Sequence, residues 1–269
     1  MTEDEAFIRG IVDSPGDDLP RLVYADWLDE RADPRGAYLR AEAEWAKAKQ
    51  TTGFLLLRLN GLAEGLDPVW VARVSRPPVG VCCDPKFFAD SGRRINESDI
   101  ASAEQRIGLP ITGEYRAFLL NVNGGRPRFD HQFGEGEAWR IPDQWFYSIS
   151  SSPHPSRQSL PHKAHSFHTL HAAFDDVLEG LQPGDVEWRG DAIPIGDAGL
   201  DWTLFYAVQG TYTGRLHLHD YTGEFCAFGF SAGPHGPPTL AEYLYRLVEH
   251  RHTLADTYPG QPLQEFWRR

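Results

Sequence analysis

The sequence predicts an α+β protein, an antiparallel β-sheet flanked by helices and preceded by a small all-α N-terminal unit. Three observations carry this. Apolar residues recur at helical spacing over 1–50 and again over 95–121, and caps and breakers punctuate both stretches. Strand candidates follow at 202–230, joined by polar, glycine-bearing segments too short for the crossovers of a parallel sheet. The chain also holds 8 Trp, 10 Tyr and 15 Phe in 269 residues, enough buried aromatic surface to offset the ordering entropy of folding.

Taken in order, Thr2 and Glu5 have the spacing of a capping box, and Phe7, Ile8, Ile11 and Val12 line the inner face of a first helix. Asp17-Asp18-Leu19-Pro20 restarts the chain with an acidic cap and a first-turn proline; Leu22, Val23, Trp27 and Leu28 are the expected buried stripe of helix two. After the break at Asp33-Pro34-Arg35-Gly36, Tyr38, Leu39, Ala41, Trp45 and Ala48 recur at helical spacing. Residues 51–94 join the two halves. Phe54-Leu55-Leu56-Leu57 either finishes the third helix or begins a short one, and Arg76-Pro77-Pro78 and Ser91-Gly92 place a domain boundary near 75–94. Beyond it, Ile100, Ala103 and Ile107 mark a helix stopped by Gly108 and Pro110. Thr112 caps another that carries Tyr115, Phe118 and Leu119 and ends at Asn123-Gly124-Gly125. Strands are expected at Trp202–Val208, Arg215–Asp220 and Phe225–Phe230, then a helix opening at Thr239 with Glu242 as its capping-box partner. The division is therefore 1–50, a joining region 51–94, a second domain 95–255 and a tail 256–269.

Two resemblances rest on these strings. Residues Glu5–Glu42, with LVYADWL at Leu22–Leu28 and DPRG at Asp33–Gly36, resemble the repeat-companion domain at the N-terminus of many bacterial proteins, notably from planctomycetes. That domain has no known function, so the resemblance implies a family and no chemistry. The E-x-x-x-G-x-P-x-x-x-x-Y-x-x-F-L run from Glu104 to Leu119, Asn123-Gly124-Gly125, and the strand and helix strings after Ala192 resemble the SUKH superfamily, which includes fungal Smi/Knr cell-wall-synthesis regulators and many bacterial immunity proteins. The resemblance spans roughly 95–250. It implies one α+β domain without catalytic residues that binds partner proteins, in bacteria often secreted toxins. The stretch 126–190, rich in proline and serine around Ser150–Pro161, departs from the pattern and reads as an insertion.

A net charge of −12 repels phosphate backbones and acidic lipid, so nucleic acid and membrane surfaces are excluded as first partners, and a basic protein, of the toxin kind, is favoured. The acidic N-terminus leads into no signal-peptide or membrane-spanning stretch, and Cys82, Cys83 and Cys226 do not make a disulfide framework. A cytoplasmic protein with reduced thiols is expected.

The catalytic and metal motifs weaken on inspection, and neither an enzyme, a cofactor nor a metal is expected. Gly229-Phe230-Ser231-Ala232-Gly233 fits G-x-S-x-G, but Pro234, Pro237 and Pro238 prevent the helix that must follow the serine. His162, His165, His168 and His171, with His154 upstream, drift around a helix by about 60° per step and cannot converge on one ion. His217 and His219 alternate along a strand without a carboxylate on their face. Gly196–Asp201 lacks the spacing of a phosphate or calcium loop and reads as a turn between strands. Cys82 and Cys83 read as incidental, since only Lys86, Arg93 and Arg94 stand nearby to activate a thiol. What remains is a partner surface. Asp197, Asp201, Trp202, Asp220 and Glu224 form a candidate acidic rim at the loop end of the sheet, and Trp139 with Glu135 and Glu137 a candidate aromatic-acidic patch in the insertion.

Overall fold

A computed structural model describes residues 2–48, 53–89, 91–127, 145–149, 192–199, 202–210, 213–220 and 238–249. Among them are α1 (Glu3–Asp13), α2 (Leu19–Asp29), α3 (Arg35–Lys47), α4 (Gly53–Ala63), α5 (Pro68–Val74), α6 (Glu97–Ile107), α7 (Gly113–Asn121) and α8 (Leu240–Glu249). The strands are β1 (Phe88–Ala89), β2 (Arg126–Pro127), β3 (Trp145–Phe146), β4 (Ala192–Gly199), β5 (Trp202–Ala207) and β6 (Leu216–Asp220). β1 pairs with β2, and β3-β4-β5-β6 form a four-stranded sheet in that order, antiparallel throughout. The expected α+β class is therefore observed. The candidate strand Phe225–Phe230 lies outside the described residues, as does most of the insertion.

Two cores meet along one segment. The first gathers Ile8, Ile11, Tyr24, Leu28, Leu39 and Trp45 and runs on through Leu59, Trp70 and Val74 to Cys82. The second packs Ile100, Tyr115, Phe118 and Leu119 against Phe146, Ile193, Leu204, Tyr206 and Leu244. Around 70–83 the chain feeds both: Trp70, Val74 and Cys82 go to the first core, Ala72, Val81 and Cys83 to the second. Arg73 fastens the seam. It pairs with Glu5 of α1 through both carboxylate oxygens at 2.8 and 2.9 Å, and it exchanges hydrogen bonds with Asn121 of α7.

That ion pair alters the first predicted cap. Thr2 accepts from the Glu5 amide as a capping residue should, but the Glu5 carboxylate turns to Arg73 instead of back to Thr2. Burial alone would raise the Glu5 carboxyl; the hydrogen bond and charge of Arg73, helped by Arg9, hold it below its ordinary value. Asp18, the expected acidic cap of α2, makes no side-chain cap bond and instead binds Arg76 at 2.7 Å, while Asp17 accepts from the Leu19 amide.

The α2 stripe also differs from expectation. Arg21, Tyr24, Ala25 and Leu28 face inward, whereas Val23 is exposed. The reason is electrostatic. Arg21 and Glu42 form an ion pair at 2.9 Å with neither side chain exposed, and Arg21 also donates to the carbonyls of Pro15 and Val74. A buried charge is tolerable only with such partners, and reaching them turns α2 by part of a turn. Tyr24, in turn, bonds Asp4 and receives bonds from Arg35 and Trp70. In α3, Tyr38, Leu39, Ala41 and Trp45 are buried as expected. Phe54–Leu57 begins a separate helix, α4. Cys82 and Cys83 are free and buried, and burial pushes the Cys82 thiol up to about 11 despite Arg21 alongside.

In the second core, the residues that carried the family resemblance hold the turn between α6 and α7. Gly108 takes the left-handed conformation at φ 73°, and Glu104 accepts from the Ile111 amide at 2.7 Å and from Arg116 at 2.9 Å. Asn123, Gly124 and Gly125 all have positive φ. Asn123 donates to the Arg93 carbonyl at 2.7 Å and accepts from the Ile149 amide at 2.9 Å, so the residue that ends α7 also positions the chain after β3. A Cβ on Gly124 would stand 2.7 Å from the Phe146 carbonyl oxygen, which excludes any larger residue there.

Candidate partner-binding surface

Three of the candidate rim residues lie on the four-stranded sheet. Trp202 opens β5 opposite Gly199 of β4 and Asp220 of β6; one step inward, Asp197 lies opposite Thr203 and Trp145. Directly opposed residues on adjacent strands sit about 5 Å apart, so the register brings the backbones of Asp197, Trp202 and Asp220 to one end of the sheet. Asp201, Glu224, Trp139, Glu135 and Glu137 lie outside the described residues. Gly196 to Gly199 belong to β4 and not to a turn, with register shifts between Pro194 and Gly196 and between Asp197 and Gly199. An irregular strand end of this kind accommodates glycine and re-aims the chain.

His217 and His219 occupy alternate positions of β6, opposite Phe205 and Thr203. Among the described residues, no three His, Cys, Asp or Glu side chains gather as a metal-ion site, and no helix is long and apolar enough to cross a membrane. The histidines at 154, 162, 165, 168 and 171, and the Gly229–Gly233 motif, lie outside the described residues.

At the seam between the cores is an open cleft of about 390 Å³. One wall is apolar, with Leu66, Val71 and Val79; the other carries Glu114, Tyr206 and Arg215. Its polar groups gather at the starts of α7 and α8. Thr112 occupies the N-cap position of α7 without making a side-chain bond, contrary to its expected role. The Tyr206 hydroxyl of β5 lies beside this helix start, where a Cβ on Gly113 would stand 2.7 Å from it. Glu114 in turn caps α8, accepting from the Ala241 amide at 2.8 Å. The predicted box at Thr239 and Glu242 is complete, with bonds of 2.9 and 3.2 Å, and Glu242 meets Arg215 at 3.4 Å.

Glu114 is the most perturbed acid of this group. Burial raises its carboxyl to about 7; the amides of Ala241 and Leu240 and the Thr239 hydroxyl oppose that, and the charge of Glu242 adds to it. No His, Cys or Ser is among the described residues lining the cleft. Glu114 and Tyr206 were not singled out from sequence, because their partners lie far along the chain; a glutamate directly before a buried tyrosine at a helix start was the only local signal.

Helices packed on an antiparallel sheet, joined to a helical first unit along the seam, define an α+β protein. The model of the SMI1/KNR4 family (SUKH-1) matches residues 94–228, half of the chain, and the chain belongs to that family, one of immunity-type or cell-wall-related protein-binding modules. No curated protein and no solved structure matches the chain.

Proposed function

We propose that this protein is a non-enzymatic, cytoplasmic binding module of the immunity type, which neutralises a basic protein toxin by holding it against the acidic end of the sheet. The observation that supports this reading best is the register that gathers Asp197, Trp202 and Asp220 in a chain of net charge −12. An acidic surface steers a basic partner by long-range attraction and excludes acidic competitors. The reading involves no cofactor, metal, nucleic acid or membrane. The helical unit fused through Arg73 to the second core favours a second reading, a regulatory or scaffolding adaptor, because a lone neutralising module needs no such companion. A pull-down from native cytoplasm at low and at moderate salt tests both. One dominant basic protein, weakened by salt and released by charge reversal at Asp197, Asp201 and Glu224, is the result expected of an immunity protein. Several partners insensitive to those changes would support the adaptor. Capture of no specific partner would count against both.

A further inference from the structure

The outward side of α2 is unusual in its composition. A helix turns about 100° per residue, so positions 19, 23, 26, 27 and 30 share one side. They are Leu19, Val23, Asp26, Trp27 and Glu30. Leu19 is 63% and Val23 46% exposed, one turn apart. Trp27 is half-buried, and its ring is covered by the Arg31 guanidinium at 3.8 Å. Acids bracket the aliphatic pair: Asp17 is exposed just before it, and the side chains of Asp26 and Glu30 beyond it are 68% and 77% exposed. Arg40 is shared between Asp26 and Asp29, Arg31 lies 3.7 Å from Glu30, and Asp18, beside Asp17, pairs with Arg76 and Lys47, so five acids at the two ends of the pair are answered by four cations. The arrangement is a consequence of the core. Arg21 is held inside by Glu42, and the helix therefore presents Leu19 and Val23 on its outward side, where both are exposed.

We infer that this side of α2 is a docking surface for an amphipathic helix of a partner protein, one with a few apolar residues at its centre and Lys or Arg on either side. The apolar pair supplies area for such a helix, and acids at both ends of the pair select its charge and fix its position. A second copy of this chain is the wrong occupant. Symmetric contact through α2 would place acidic ends against each other in a protein of net charge −12. The surface lies on α2 of the first unit and not on the sheet that carries the candidate rim, and the inference does not depend on the proposed toxin partner.

The test uses the full-length protein and two labelled helical peptides of leucine and alanine, one carrying lysine and the other glutamate at the flanking positions, with binding followed by fluorescence anisotropy at physiological salt. The lysine peptide should bind and the glutamate peptide should not. Leu19→Gln with Val23→Gln should weaken binding on the order of tenfold to a hundredfold, the loss expected when two half-exposed aliphatic contacts disappear. Phe54→Gln with Leu57→Gln, which alters the still more exposed apolar pair on α4, should leave binding within about twofold. Circular dichroism confirms that both variants stay folded, as surface changes of this kind allow. Charge reversal at Asp197, Asp201 and Glu224 should also leave the peptide bound, which separates this surface from the rim. Equal weakening by both double variants, weakening by neither, or equal binding of the glutamate peptide would overturn the inference. So would self-association of the protein that Leu19→Gln with Val23→Gln abolishes, since it would assign the face to a second copy.

Discussion

Replacing Glu114 with glutamine removes a titratable proton from the seam while keeping a side-chain oxygen able to accept from the Ala241 amide. In the native protein this carboxyl titrates near 7 against an ordinary 4.5, chiefly because it is buried, and Glu242, Arg215, Thr239 and Tyr206 are the polar groups around it. The fold therefore prefers the neutral acid. Below the ordinary value both folded and unfolded chains hold the proton, and the full benefit is present. Between about 4.5 and about 7 the native state binds more protons than the unfolded state, so stability falls as pH rises, at about 1.4 kcal/mol per unit. Above that window the loss is complete and levels off. The total is about 3 kcal/mol. Urea unfolding of the wild type and Glu114→Gln at pH 5, 6, 7 and 8 checks this. The wild type should lose most of that amount relative to the variant by pH 8, with the steepest change below 7. A difference between the two proteins that does not vary with pH would refute the reasoning, and so would a wild type that gains on the variant as pH rises. In either case the amides at the start of α8, and not burial, would dominate the site.

Two further perturbations address the first and the second core. Arg21→Met should destabilise by about 3 kcal/mol in urea, because Glu42 keeps only Arg76, at 3.1 Å, as its charged partner in a buried setting. Arg21→Met with Glu42→Leu should recover part of that loss, since no carboxylate then remains inside without its first partner. Gly124→Ala should cost more than about 2 kcal/mol and lower the thermal midpoint, because φ is 80° and the new methyl would meet the Phe146 carbonyl at 2.7 Å and the Ser148 amide at 2.9 Å.

The sequence by itself determined the elements whose causes are local. Helical spacing located α1, α3, α6 and α7, and Gly108 and Asn123-Gly124-Gly125 ended helices where left-handed residues are required. The Thr239–Glu242 box opened α8, and short connections made the sheet antiparallel. Each of these depends on atoms within a turn or a hairpin, so the pattern of neighbouring residues carries the information. The inward face of α2 was decided otherwise. Its stripe would have been Leu22, Val23, Trp27 and Leu28 had apolar character alone ruled, but Glu42 and the Val74 carbonyl, distant in sequence, drew Arg21 inside and left Val23 out. The start of α8 is alike in this respect: Glu114 reaches the Ala241 amide, 127 positions away. Glu5 and Asp18 had the form of local caps, yet their carboxylates went to Arg73 and Arg76. For the candidate rim, sequence named Asp197, Trp202 and Asp220, and strand pairing places their backbones at one end of the sheet. A charged side chain takes whichever partner the assembled chain places beside it in a low-dielectric interior, where a pairing outweighs a solvent-exposed cap, and no periodicity in the sequence records that choice.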